Sequence, residues 1–150
     1  EVISAEMTDH GPPQLPGQPP GREGVRVLAA AVRQAFPDLN LNGRLTLSEN
    51  VADVAGLAAA YDAWKATLGG KDAPVLDGFT GDQRVFLGWA QNYRSKYRER
   101  ALRNRVLTDV HSPGPWRAAT VRNLDAWYAA FDVKPGQKLY LAPDQRVKVW

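Results

Sequence analysis

The chain has 150 residues, 44% of them hydrophobic and 23% charged, which is enough apolar surface for a packed core and excludes a wholly disordered chain. Lys plus Arg is 19 and Asp plus Glu is 16, so the formal charge of +3 is too small on its own to argue for nucleic acid. There is no cysteine, and His10 and His111 are the only histidines, so disulfides, thiol nucleophiles, thiolate-bound zinc and a His-rich metal site are excluded. No apolar run approaches the roughly 18 residues of a membrane span. Glu1 to Ala5 has neither the basic start nor the long apolar stretch of a signal peptide.

In chain order, residues 1–10 form a short leading segment. Residues 11–24 follow, with Pro12, Pro13, Pro16, Pro19 and Pro20 interleaved with four glycines. Proline lacks an amide donor and glycine favours open conformations, so this stretch reads as an extended linker. Residues 25–150 read as a mainly helical domain. Val25, Leu28, Ala29, Val32 and Phe36 recur at helical spacing, and Pro37 ends that pattern. A second helix is expected from Thr46 or Ser48 to about Leu68, with Val54, Leu57, Ala58, Tyr61 and Trp64 as its buried stripe and Gly69-Gly70 as its stop. Thr80 and Gln83 make a capping box for a third helix, expected to run from Gly81 to Leu102 or beyond. Pro113 and Pro115 then break the pattern. Arg117 to Arg122 is β-tending, and Asn123 is placed to cap a last helix from Leu124 to Phe131. Val147 to Trp150 alternates like an extended segment.

Three groups of residues could carry chemistry. Glu49 and Asp53 lie four apart, so a helix puts them on one face, near its positive end if it starts at Thr46 or Ser48. A cation, a metal or a histidine is the natural third party; a solvated acidic helix start needs none. His111 sits in a Pro-bounded loop close to Asp109, with Arg117 six residues on. An oriented imidazole can donate to a developing oxyanion, and a guanidinium can fork onto a carbonyl or carboxylate. Arg94, Lys96, Arg98, Arg100, Arg103 and Arg105, with Tyr93 and Tyr97 among them, could face nucleic acid or be the solvated side of a helix.

Two of these groups lie in recognisable motifs. Leu45 to Leu57 contains Glu49-Asn50-Val51-Ala52-Asp53-Val54-Ala55-Gly56-Leu57, which resembles the E-N-x-A-D-x-x-G-L segment of the neprilysin family of zinc metallopeptidases. Trp89-Ala90-Gln91 resembles that family's F-A-Q helix, and Thr108-Asp109-Val110-His111-Ser112-Pro113 its T-D-x-H-S-P loop. Val147-Lys148-Val149-Trp150 is similar to its R-V-W ending, with Lys148 in place of the arginine. The resemblance covers Leu41 to Trp150. It implies the C-terminal portion of a thermolysin-like (zincin) catalytic domain, mainly α with minor β. It also implies zinc as cofactor, peptide or protein substrates, and an extracytoplasmic or exported setting. Residue by residue, it implies that Glu49 is a zinc ligand and that Asp53 orients a ligating histidine. His111 would stabilise the tetrahedral intermediate, helped by Asp109, and Arg117 would bind a substrate carbonyl.

The chain departs from the family at its central motif. There is no H-E-x-x-H; Val2 to Gly11 resembles that stretch with Ala5 and Asp9 at the two histidine positions. Glu6 stands where the general base would be, Asp9 is the remaining candidate ligand, and His10 is one residue late, about 100° around a helix. A catalytic zinc normally takes three protein ligands. The expectation is therefore a truncated homologue, inactive alone, that keeps a peptide- or protein-binding role. The alternatives are part of an active peptidase whose missing ligands come from a complementary chain, and a basic nucleic-acid-binding module. The peptidase readings require Glu49 and Asp53 to face His111 and Arg117.

Overall fold

A computed structural model of the chain describes residues 40–149. The expected first helix around Val25 to Phe36, the linker at 11–24, and Glu6, Asp9 and His10 lie outside the described residues.

Helix α1, Gly43–Thr67, is the backbone of the domain. It starts earlier than Thr46 or Ser48 because Asn42 is the better cap: its side chain accepts from the amides of Arg44 and Leu45 at 3.1 and 3.2 Å. The earlier start moves Glu49 and Asp53 out of the first turn, which holds no acid, so the helix dipole does little for either carboxylate. The helix ends before Gly69 and Gly70, both of which adopt positive φ. Within the loop that follows, Leu76 and Phe79 exchange an isolated antiparallel bridge, the one β pairing among the described residues.

Helix α2, Gly81–Gln91, opens on the expected capping box of Thr80 and Gln83. It does not continue to Leu102. Residues 92–98 leave the helix, and α3 begins again at Glu99–Thr108. The break falls where Asn92 caps α2 and Tyr93 turns to the Arg117 guanidinium, and the helix restarts at Glu99, an acid in the first turn of α3. A short α4, Gly114–Ala118, runs into a 3-10 turn over Ala119–Asn123, so the β-tending stretch from Arg117 to Arg122 is helical. Burial of Trp116 and Val121 overrides local propensity there. Helix α5 is Asp125–Phe131, with Leu124 rather than Asn123 at its cap position. Asn123 instead donates to the Thr120 carbonyl and accepts from the Val147 amide at 2.9 Å, which pins the tail. Residues 147–149 form no strand.

The core joins α1, α2, the 3-10 turn and α5 through Leu57, Phe86, Val121, Leu124, Trp127 and Tyr128. Tyr61 stacks on Phe86 with ring centroids 5.3 Å apart. Arg146 lies over the Tyr128 ring at 3.5 Å and closes the far side. No helix among the described residues is long and apolar enough to cross a membrane.

Candidate active site

The site is built where α1 meets the 109–117 segment. A buried polar relay fixes that meeting. Ser112 Oγ donates to Asn50 Oδ1 at 2.8 Å, Asn50 Nδ2 donates to Thr46 Oγ1, and Thr46 Oγ1 donates to the Asn42 carbonyl. Thr46 and Ser112 are wholly buried, so each of these groups needs its partner. Asn50 lies one residue from Glu49 and Ser112 one from His111, and the relay thereby sets the register of both.

His111 stands between two carboxylates. Its Nε2 is 3.0 Å from Glu49 Oε2, and its Nδ1 is 3.0 Å from Asp109 Oδ1. Asp109 Oδ1 also accepts from the His111 backbone amide at 2.8 Å, and Arg105 pairs with the second oxygen at 3.2 Å. That backbone amide, the imidazole and the Arg105 charge hold the Asp109 carboxyl below the usual carboxylate range. A carboxylate only accepts, so both contacts of the ring are hydrogen bonds when both nitrogens carry hydrogen.

One turn along α1, Asp53 is buried and receives Arg117 in a fork: Nε donates to Oδ2 at 2.8 Å and NH2 to Oδ1 at 2.7 Å. The hydrogen bonds to Asp53 raise the Arg117 pKa further above its usual value. Tyr93 completes the support, with its ring 5.0 Å from the Arg117 guanidinium. Burial, then the Asp53 charge, pushes the Tyr93 hydroxyl pKa up. The Trp89 indole donates to the Arg117 carbonyl at 3.1 Å, tying α2 to α4. Gly114 is required at this junction: a Cβ there would lie 2.8 Å from the Tyr93 carbonyl oxygen, a backbone atom that cannot swing aside.

Glu49, Asp53, Asp109, His111 and Arg117 thus come together, while Glu6 and Asp9 lie outside the described residues. The sequence reading missed the part played by Tyr93, Asn50, Ser112 and Arg105. The sequence groups Tyr93 and Arg105 with the basic stretch, and Asn50 and Ser112 carry no spacing signal of their own.

The residues do not fit zinc by themselves. Among the described residues no group of three or more His, Cys, Asp or Glu side chains is placed to hold a metal. Glu49 contacts His111, and both Asp53 oxygens are taken by Arg117.

Comparison with known proteins decides the family: the model of peptidase family M13 matches residues 26–147. The chain belongs to peptidase family M13. Neprilysin-21 of Caenorhabditis elegans is 37% identical over 120 residues, covering 75% of this chain and 15% of that protein. The neutral endopeptidase of Lactobacillus helveticus is 35% identical over 111 residues, covering 73% of this chain and 16% of the endopeptidase. In structure, the chain is similar to the zinc metalloprotease Zmp1 of Mycobacterium tuberculosis in its open state, with a TM-score of 0.80 and 39% identity over 87% of this chain and 21% of that one. Family M13 membership and this likeness establish the helical C-terminal part of a zincin-like catalytic domain. The chain spans about a sixth of the length of these two curated M13 relatives.

Proposed function

We propose that the chain carries the C-terminal half of a neprilysin-type peptide site and binds peptide without hydrolysing it on its own. The observation behind this reading is the pairing of Arg117 with Asp53 beside the pairing of His111 with Glu49. A guanidinium has five N–H donors in a fixed plane. Asp53 takes two of them, which leaves the rest of the fork for a peptide carbonyl. His111, held by Asp109 through Nδ1, can turn Nε2 to charge developing on a carbonyl oxygen once Glu49, which holds that nitrogen at 3.0 Å, is drawn to another partner. The same proposal takes residues 1–10 as a degenerate zinc-helix remnant, 11–24 as linker and 25–150 as the helical unit.

Zinc is the cofactor of the relatives described as zinc metalloproteases, and Glu49 is the one residue among those described that the family pattern assigns as ligand. With Ala5 and Asp9 at the histidine positions, no step of hydrolysis is derived for this chain. An extracytoplasmic setting is part of the same reading, carried over from the family. The split-enzyme alternative draws on the same cluster of Glu49, Asp53, His111 and Arg117, with the missing ligands supplied by a complementary chain.

Peptide binding tests the proposal. A fluorescein-labelled hexapeptide should bind the 150-residue chain, and Arg117→Lys, which keeps the charge but loses the fork, should weaken binding by about tenfold. Unchanged binding by a folded Arg117→Lys chain contradicts the role given to Arg117. Stoichiometric zinc in the purified chain contradicts the reading that it lacks a zinc site.

A further inference from the structure

The segment between α2 and α3 is anchored to the site at both ends. Tyr93, at its start, lies against Arg117 and Gly114. Arg105, on α3, pairs with Asp109, the carboxylate that holds His111. Arg94, Lys96, Arg98 and Arg100 lie between these anchors, and all four are exposed. Arg103 is paired with Glu99 and Arg105 with Asp109, whereas those four have no ion-pair partner among the described residues. Their positive charge faces solvent on the segment that joins Tyr93, against Arg117, to Arg105, against Asp109.

From this placement we infer that Arg94, Lys96, Arg98 and Arg100 form a cationic rim that selects peptides with acidic residues to one side of the Arg117 position. The inference rests on the peptide site proposed above and adds the class of peptide it takes. The charge alone would also suit single-stranded nucleic acid, which needs free aromatic faces for its bases. The rings near this segment are engaged: Tyr93 packs edge-on to Trp89 at 5.1 Å and meets Arg117, and Tyr97 is covered by Arg105 at 5.5 Å. An acidic peptide needs no stacking platform, only carboxylates to meet the four cations. Each contact is solvent-screened and individually weak, so selectivity depends on the four together and on ionic strength.

Two fluorescein-labelled hexapeptides of one length test this, one rich in Asp and Glu and the other with Asn and Gln at the same places. The full chain should bind the acidic peptide about tenfold more tightly at low salt, a preference that fades near 0.5 M salt. The variant R94Q/K96Q/R98Q/R100Q should bind both peptides alike while melting as the parent chain does. The salt titration on the parent chain reads the same effect without any variant. Equal binding of the two peptides by the parent chain overturns the rim and leaves the peptide site standing. Binding of neither overturns the peptide site, and the rim falls with it. Tighter binding of oligothymidylate than of the acidic peptide, lost in the variant, overturns the assignment in favour of nucleic acid.

Discussion

Arg117 reaches back 64 positions to close a two-point fork on Asp53, and this contact locks the 109–117 segment against the middle of α1. Asp53 keeps only 7% of its side chain exposed, so its charge depends on the guanidinium for compensation. Arg117→Ala should therefore cost about 3 kcal/mol, the scale for leaving a buried charge unpaired. Asp53→Asn in the same background should recover part of that loss, because it removes the stranded charge. Urea denaturation of the two single variants and the double variant measures the coupling.

Tyr128 is a second junction that the fold depends on. Its hydroxyl donates to the Arg122 carbonyl at 2.8 Å and accepts from the Leu141 amide at 2.9 Å, while Arg146 covers its ring. Tyr128→Phe keeps the ring and strands both backbone groups. The expected loss is about 1–3 kcal/mol, read as a lower urea midpoint with an unchanged slope.

Gly114 tests how tightly α4 approaches Tyr93, two residues beyond α2. Gly114→Ala places a methyl group against the Tyr93 carbonyl, so the loop must move by more than a rotamer change. A cost of about 1–3 kcal/mol is expected, as for overpacking elsewhere. Because Tyr93 lies on Arg117, the variant should also weaken peptide binding, which a purely local strain would leave unchanged.

Tyr61 and Asp82 give the fold a pH signature. Tyr61 donates to Asp82, and that hydrogen bond, with Lys65 nearby, lowers the Asp82 pKa. A carboxyl whose folded pKa is depressed contributes stability above its unfolded pKa, near 3.9, and loses it as pH falls through the folded value. Burial first, then Asp82, raises the Tyr61 pKa, so its contribution is full below about pH 10 and is lost as pH rises further. Tyr61→Phe should flatten the stability profile at both ends, with the acid limb measured between about pH 5 and 2.

Much of this was legible from residue types alone. The stripe of Val54, Leu57, Ala58 and Tyr61 marks α1, and Thr80 with Gln83 marks the start of α2. The start of α1 was misplaced because a side-chain oxygen at Asn42 satisfies two amides, a geometric fact that Thr46 and Ser48 imitate in sequence. The break at 92–98 contains neither proline nor glycine, and apolar spacing continues through Tyr93 and Tyr97. Only the structure shows that those rings serve Arg117 and Arg105. The site residues Glu49, Asp53, His111 and Arg117 were legible through motif resemblance, not through spacing. Their pairing across α1 and the loop is a tertiary fact that no local pattern encodes.

Cleavage of an internally quenched peptide by the purified 150-residue chain with added zinc bears most directly on the proposed function. A signal indistinguishable from the no-protein control is expected, while the same peptide, labelled, still binds. Chelator-sensitive cleavage by this chain alone would contradict that function, since the described residues offer Glu49 and no second family ligand for the metal.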